Sequence, residues 1–237
     1  MTRRPPPEQR RDPRFEVKTR WVDCVNLPDA HPERFVEFLH RQMNEEVNGL
    51  ECAAAALCDF PEAQWEVRMS LARQCADEAR HVLMFRRCCE ERGAHLGKYP
   101  VLNFQYAIIT SADTLEGHLA IQNRAFEAEG IDAIAQAIVE AEQAGDVPLR
   151  HLFDAQQADE IQHVRYANDF LRRRTGDEPR TALSVARALD CASRAFAEVV
   201  GAERVGQVRY GVDAEGRKAA GFRVDEIETT IATREKR

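Results

Sequence analysis

The sequence predicts an all-α protein: a four-helix bundle with one long crossover connection and an appended C-terminal helical segment. Three observations predict it. Four long stretches carry apolar residues at alternating steps of three and four, the signature of a helix with one buried face. The connections within the first and second pairs of stretches are tight turns, whereas residues 93–110 separate the pairs. Carboxylates and imidazoles interrupt the apolar seams at matching heights.

Composition sets the frame. The chain has 237 residues, a net charge of −7, 44% hydrophobic and 31% charged residues, and a mean hydropathy of −0.50. These values fit a soluble globular protein and exclude a disordered or fibrous one. The longest apolar run, Cys52 to Cys58, is too short to span a bilayer. No secretory signal is visible, so a cytoplasmic location is expected, with no membrane association. The acidic balance argues against nucleic acid as an obligate partner. Seven cysteines without C-x-x-C spacing read as reduced, buried thiols, and nothing supports a redox pair at Cys88 and Cys89.

Residues 1–20 hold seven basic and three acidic side chains and read as a mobile basic arm. The bundle is expected over 21–175. Its first helix runs from about Pro32 to Cys58, with a seam of Leu39, Met43, Glu46, Leu50, Ala53 and Leu57. The second runs from about Glu62 to Arg92, with Asp59 as candidate cap and Pro61 in the first turn; its seam is Leu71, Cys75, Glu78, Val82, Phe85 and Cys89. Gly93 to Thr110 shows no helical period. A helix of about 30 residues is about 45 Å long, and this segment can extend to about 60 Å, enough to run the length of a bundle. The third helix begins after Thr110 or Ser111 and ends near Gly145, with Ala120, Asn123, Glu127, Ile131, Ile134, Ile138 and Ala141 on its seam. The fourth runs from Asp146-Val147-Pro148 to about Arg173, with Leu149, Phe153, Gln156, Glu160, His163, Ala167 and Phe170. Two antiparallel hairpins joined by one crossover follow from these loop lengths. Residues 176–237 read as a C-terminal helical extension, with a helix near 181–200 and a short polar helix at the end.

Two segments match: Ala76-Asp77-Glu78-Ala79-Arg80-His81 and Ala158-Asp159-Glu160-Ile161-Gln162-His163. A Glu and a His three apart share one helix face and can reach one metal ion. Random placement gives about 0.7 such pairs in a chain of this composition. Glu37 and His40 form a third pair, read as surface or second-layer chemistry. The shared Ala-Asp prefix and the inward seam set the other two apart. Glu46 and Glu127 supply the remaining carboxylates, because each interrupts an apolar seam. Glu46 to Glu78 is 32 residues and Glu127 to Glu160 is 33. The chain thus reads as two copies of one Glu…Glu-x-x-His hairpin. Four inward carboxylates and two imidazoles would be costly unless cations neutralise them. Glu51 is the rival to Glu46, but it lies about 140° around the helix and breaks the repeat; Glu45 is the next rival.

Asp77-Glu78-Ala79-Arg80-His81 resembles the D/E-E-x-R-H motif of ferritin-like di-iron carboxylate proteins, and the likeness covers about residues 31–173. Glu46-Val47-Asn48-Gly49-Leu50-Glu51, the Phe60-Pro61 turn and Phe126-Glu127-Ala128-Glu129-Gly130 are similar to an uncharacterised bacterial ferritin-like family, itself distantly similar to tRNA-hydroxylating di-iron enzymes. The resemblance implies a ferritin-like bundle whose metal ligands are Glu46, Glu78, His81, Glu127, Glu160 and His163. It implies two iron ions, with a di-manganese or mixed Mn/Fe pair also compatible. Asp77 and Asp159 would accept hydrogen bonds from His163 and His81, and Arg80 would be an ion-pair partner. The second copy departs from the motif at Gln162.

Other polar residues are less telling. Glu116, Asn123 and Gln156 are candidates for lining a substrate or metal path. His118 and His151 read as structural or exposed, and Tyr106 and Tyr166 as packing residues. The leading expectation is an O2-activating di-iron oxidase or oxygenase acting on a small organic substrate. With no flavin or nicotinamide fingerprint, electrons would come from a separate donor. Iron oxidation and handling, as in ferritins, and a helical scaffold with a vestigial site are the alternatives. A homodimer is compatible with the oxidase reading, whereas iron handling predicts a cage or large oligomer.

Overall fold

A computed structural model describes residues 12–24, 27–28, 30–201 and 210–235. The protein is all-α; among the described residues the strands are two short ones, β1 (Val17–Lys18) and β2 (Val101–Leu102), paired parallel. Two compact units are present, residues 1–115 with 192–203, and 116–191 with 204–237. These cut across the expected ranges, since residues 176–237 contribute to both. No helix among the described residues is long and apolar enough to cross a membrane.

The first unit is built on α1 (Arg34–Asp59) and α2 (Trp65–Glu91), which pack along each other. Their short connection makes them antiparallel. The seams are inward as the spacing requires: Leu39, Met43 and Ala53 on α1, and Leu71, Phe85 and Cys89 on α2, are buried. Asp59 does not cap α2. It is the last residue of α1, and α2 starts at Trp65, three residues after the expected Glu62, with Gln64 in the cap position and no side-chain capping bond. The turn is held from the other side. Arg68 Nη1 donates to the carbonyls of Leu57 and Pro61, both at 3.3 Å, the first an acceptor that the end of α1 leaves open and the second in the turn itself. Gly93, at φ 79°, ends α2 in the left-handed conformation that favours glycine.

The crossover then lies on a second face of α1. His40, Asn44 and Asn48, one helical turn apart, are each 0% exposed. The Gly97 N–H donates to His40 Nε2 at 3.0 Å, and Asn44 and Asn48 donate to the Leu102 carbonyl at 2.6 and 3.3 Å. A short helix, α3 (Phe104–Ile109), follows β2 in a stretch whose sequence shows no helical period. The expected mobile arm is only partly in view. Residues 1–11 lie outside the described residues, but the rest is folded onto the unit: Val17 pairs with Val101 and Phe15 packs on His40. Gly97 sits at φ 80°, and a Cβ there would lie 2.1 Å from the Arg14 carbonyl, so only glycine admits this approach.

The second unit contains α5 (Ala128–Gln143) and α6 (Val147–Asp177), again antiparallel across a tight turn. Asp146 caps α6 by accepting from the Leu149 N–H at 3.1 Å, with Pro148 in the first turn. Preceding α5 without a break are α4 (Leu115–Leu119) and a π-helical segment, Ala120–Glu127. The polypeptide continues through α7 (Arg180–Val200) to α8 (Ala214–Ala219) and α9 (Val224–Glu235). The last two helices dock on α5 and α6. Ala220 joins Ala128, Ile131 and Val164 in a buried cluster. Asp132 accepts from Arg217 at 2.6 Å, from Arg234 at 2.7 Å and from the Asp213 N–H at 2.8 Å.

Candidate metal centre

Each unit brings its own copy of the repeated motif together. In the first, α1 contributes Glu46 and α2 contributes Glu78 and His81. Their relative exposures are 7%, 2% and 0%, although two of the three are acids. His81 Nδ1 lies 3.0 Å from Glu46 Oε2 and 3.3 Å from Glu78 Oε2. One ligand atom from each lies within 4.8 Å of the others. Glu46, rather than Glu51 or Glu45, is the α1 carboxylate in this group. The i,i+3 spacing of Glu78 and His81 places both on the face of α2 that meets α1.

The second unit holds Glu127, Glu160 and His163, again within 4.8 Å of one another. His163 Nδ1 is 3.2 Å from Glu160 Oε2. Glu127 closes the π-helical segment and is half-buried. Asn123, fully buried one turn earlier, donates to Glu127 Oε2 at 2.8 Å and to the His163 carbonyl at 3.1 Å. It thereby ties the segment to α6. A π-helical stretch is uncommon, and such stretches concentrate at functional sites.

The donor set decides what these groups can hold. In both units a buried imidazole nitrogen faces carboxylate oxygens. Carboxylate and imidazole donors together suit Fe, Mn and Zn, whereas a soft-metal site would need thiolates. Burying such acids is favourable only when a cation or several hydrogen bonds compensate. The buried Glu/His groups could therefore bind a metal ion.

The remaining predicted residues fall as follows. Asp77 accepts from Arg73 and Arg80, both at 3.3 Å, and Arg80 is 47% exposed on the outer side of α2. Asp159 is half-buried on α6. Glu116 forms an ion pair with Arg174 at 2.8 Å, and Gln156 is buried. His118 is buried against Gln122, while His151 is exposed. His40 corrects the surface reading: it is fully buried, and Glu37 is engaged by Arg34 and Arg41 instead. Burial pushes its imidazole down to about 4. Cys88 and Cys89 are buried and form no disulfide, and burial pushes the Cys89 thiol up to about 12, away from thiolate chemistry.

Two residues near the site escaped the sequence reading. Gln74, fully buried, donates to Glu78 Oε1 at 3.3 Å. Gly49 lies against the Glu78 carboxylate; a lone glycine inside a strong helical pattern is the signal that points to such a place.

The family model described as "Protein of unknown function (DUF455)" matches residues 2–228. The chain belongs to the DUF455 family. No curated protein and no solved structure matches it. The match spans both copies of the motif and the C-terminal segment into the start of α9.

Proposed function

We propose that this DUF455 protein is an O2-activating di-iron carboxylate oxidase or oxygenase. The observation that carries the proposal is the duplication: each hairpin gathers its own Glu, Glu and His into one group, buried throughout except for the half-buried Glu127. In this reading the two half-sites act together as one two-metal centre. Glu46, Glu78, Glu127 and Glu160 would hold the ions, with His81 and His163 completing the set. Two irons bound there would supply one-electron and O2 chemistry that no side chain provides.

The chain's own residues have definite tasks in that reading. Gln74 and Asn123 hold the carboxylates of Glu78 and Glu127 by donating to one oxygen of each. Asp77 and Asp159 would accept the outer N–H of His163 and His81 and fix which ring nitrogen faces the metal. The apolar seams, with Leu39, Met43 and Phe85 buried, keep bulk water from the acids of the first unit. The substrate would be a small organic molecule, with electrons from a separate donor protein.

The test is metal stoichiometry by elemental analysis after anaerobic loading with Fe(II), in the wild type and a folded Glu78→Ala/Glu160→Ala variant. About two irons per chain in the wild type, and loss of most of them in the variant, are expected. A wild type that retains no iron, or a variant that retains it equally, overturns the proposal. Fe(II) oxidation that proceeds without organic substrate, in a large oligomer, would assign the site to iron handling.

A further inference from the structure

The duplication extends past the acids. Glu46-Val47-Asn48-Gly49 recurs as Glu127-Ala128-Glu129-Gly130, with glycine three residues after the carboxylate in both copies. Both glycines lie inside helices, where alanine is the better helix former. Their surroundings differ. A Cβ built on Gly49 would lie 3.0 Å from both Cδ and Oε1 of Glu78, and 3.4 Å from Oε2. A Cβ built on Gly130 would meet nothing within 4 Å. Gly176, the other glycine within a long helix, is likewise open.

We propose that Gly49 is a positioning residue: its missing side chain is the seat of the Glu78 carboxylate, and the first half-site has this seat while the second does not. The distances give the reason. Ordinary contact with a Cβ begins at 3.4 Å, so a methyl group at position 49 displaces the carboxylate by about 0.4 Å. Ligand distances in metal sites fall within about 0.2 Å of their usual values, a narrower range than that displacement. Gln74 on one oxygen and His81 on the other limit how the carboxylate can yield. In the second half-site Gly130 does not lie against Glu160, the corresponding acid of α6, and Glu127 is fixed by Asn123. The two halves are alike in ligands and unlike in where the glycine sits against them.

The inference about packing stands on geometry alone; its consequence for affinity rests on the metal reading above. Four full-length variants separate the two: Gly49→Ala, Gly130→Ala, Glu78→Ala and Gly49→Ala/Glu78→Ala. In chelator-treated protein, Gly130→Ala raises the melting temperature. Gly49→Ala does not raise it in the wild-type background, and does raise it once Glu78 is alanine. A Gly49→Ala protein that folds only in the Glu78→Ala background gives the same answer. Equal effects in both backgrounds, or failure to fold in both, overturn the seat. Titration with Co(II) alone, followed by absorption, then reads the consequence. Gly49→Ala weakens binding on the order of tenfold, while Gly130→Ala leaves it unchanged. Unchanged binding in Gly49→Ala overturns the positioning role. A wild type that takes up no Co(II) removes the metal reading, and the melting comparison still decides whether Gly49 seats Glu78.

Discussion

His40 is held neutral by its surroundings. Its Nε2 accepts from the Gly97 N–H, a bond that only the unprotonated nitrogen can accept, and burial lowers its pKa from 6.5 to about 4. The sign of the linkage follows. Between those values the unfolded chain binds a proton that the folded chain does not, so stability falls as pH drops from about 6.5 towards 4. The loss is on the order of 3 kcal/mol. His40→Gln keeps an acceptor for Gly97 and removes the titration. Urea unfolding at pH 7 and pH 5 should therefore show a smaller difference in the variant than in the wild type. The same residue marks a limit of sequence reading. The six proposed ligands are legible because a charge on an apolar seam is conspicuous. His40, Asn44 and Asn48 are not, because neutral polar residues one turn apart look like a solvated face. Only the crossover lying on them makes that face interior.

At the scale of elements, period and punctuation carried the four long helices, and the Asp146 cap with Pro148 placed the start of α6. What they could not carry was pairing without a period. The two-residue strands β1 and β2 have too few residues to show alternation, so the contact that folds residues 12–20 onto the first unit leaves no mark in the sequence. The π-helical segment is equally silent, since its residues read as ordinary helix. The docking of α8 and α9 rests on Asp132, which is 1% exposed and accepts from two arginines. Glu129 faces the same pair, at 2.6 Å from Arg234 and 3.5 Å from Arg217, so two acids meet two bases. Removing one partner of a buried pair costs about 3–5 kcal/mol. Asp132→Ala should lower the urea midpoint accordingly, and hydrogen exchange should quicken in α8 and α9 before it does in α6.

For the whole molecule, each unit presents its own Glu, Glu and His, and the proposed two-iron centre requires both. Metal that binds only the folded chain stabilises it by about 2.7 kcal/mol when present at a hundred times its dissociation constant. Thermal melts with and without added Fe(II) under anaerobic conditions should show an upward shift in the wild type. The shift should vanish in Glu78→Ala/Glu160→Ala. A shift retained in that variant would mean that the ion sits elsewhere.

Arg234 is the fourth residue from the end of the chain, yet it reaches back to Asp132 and Glu129. Cleavage within α9 ahead of Arg234 would strip a counter-charge from the interior of the second unit.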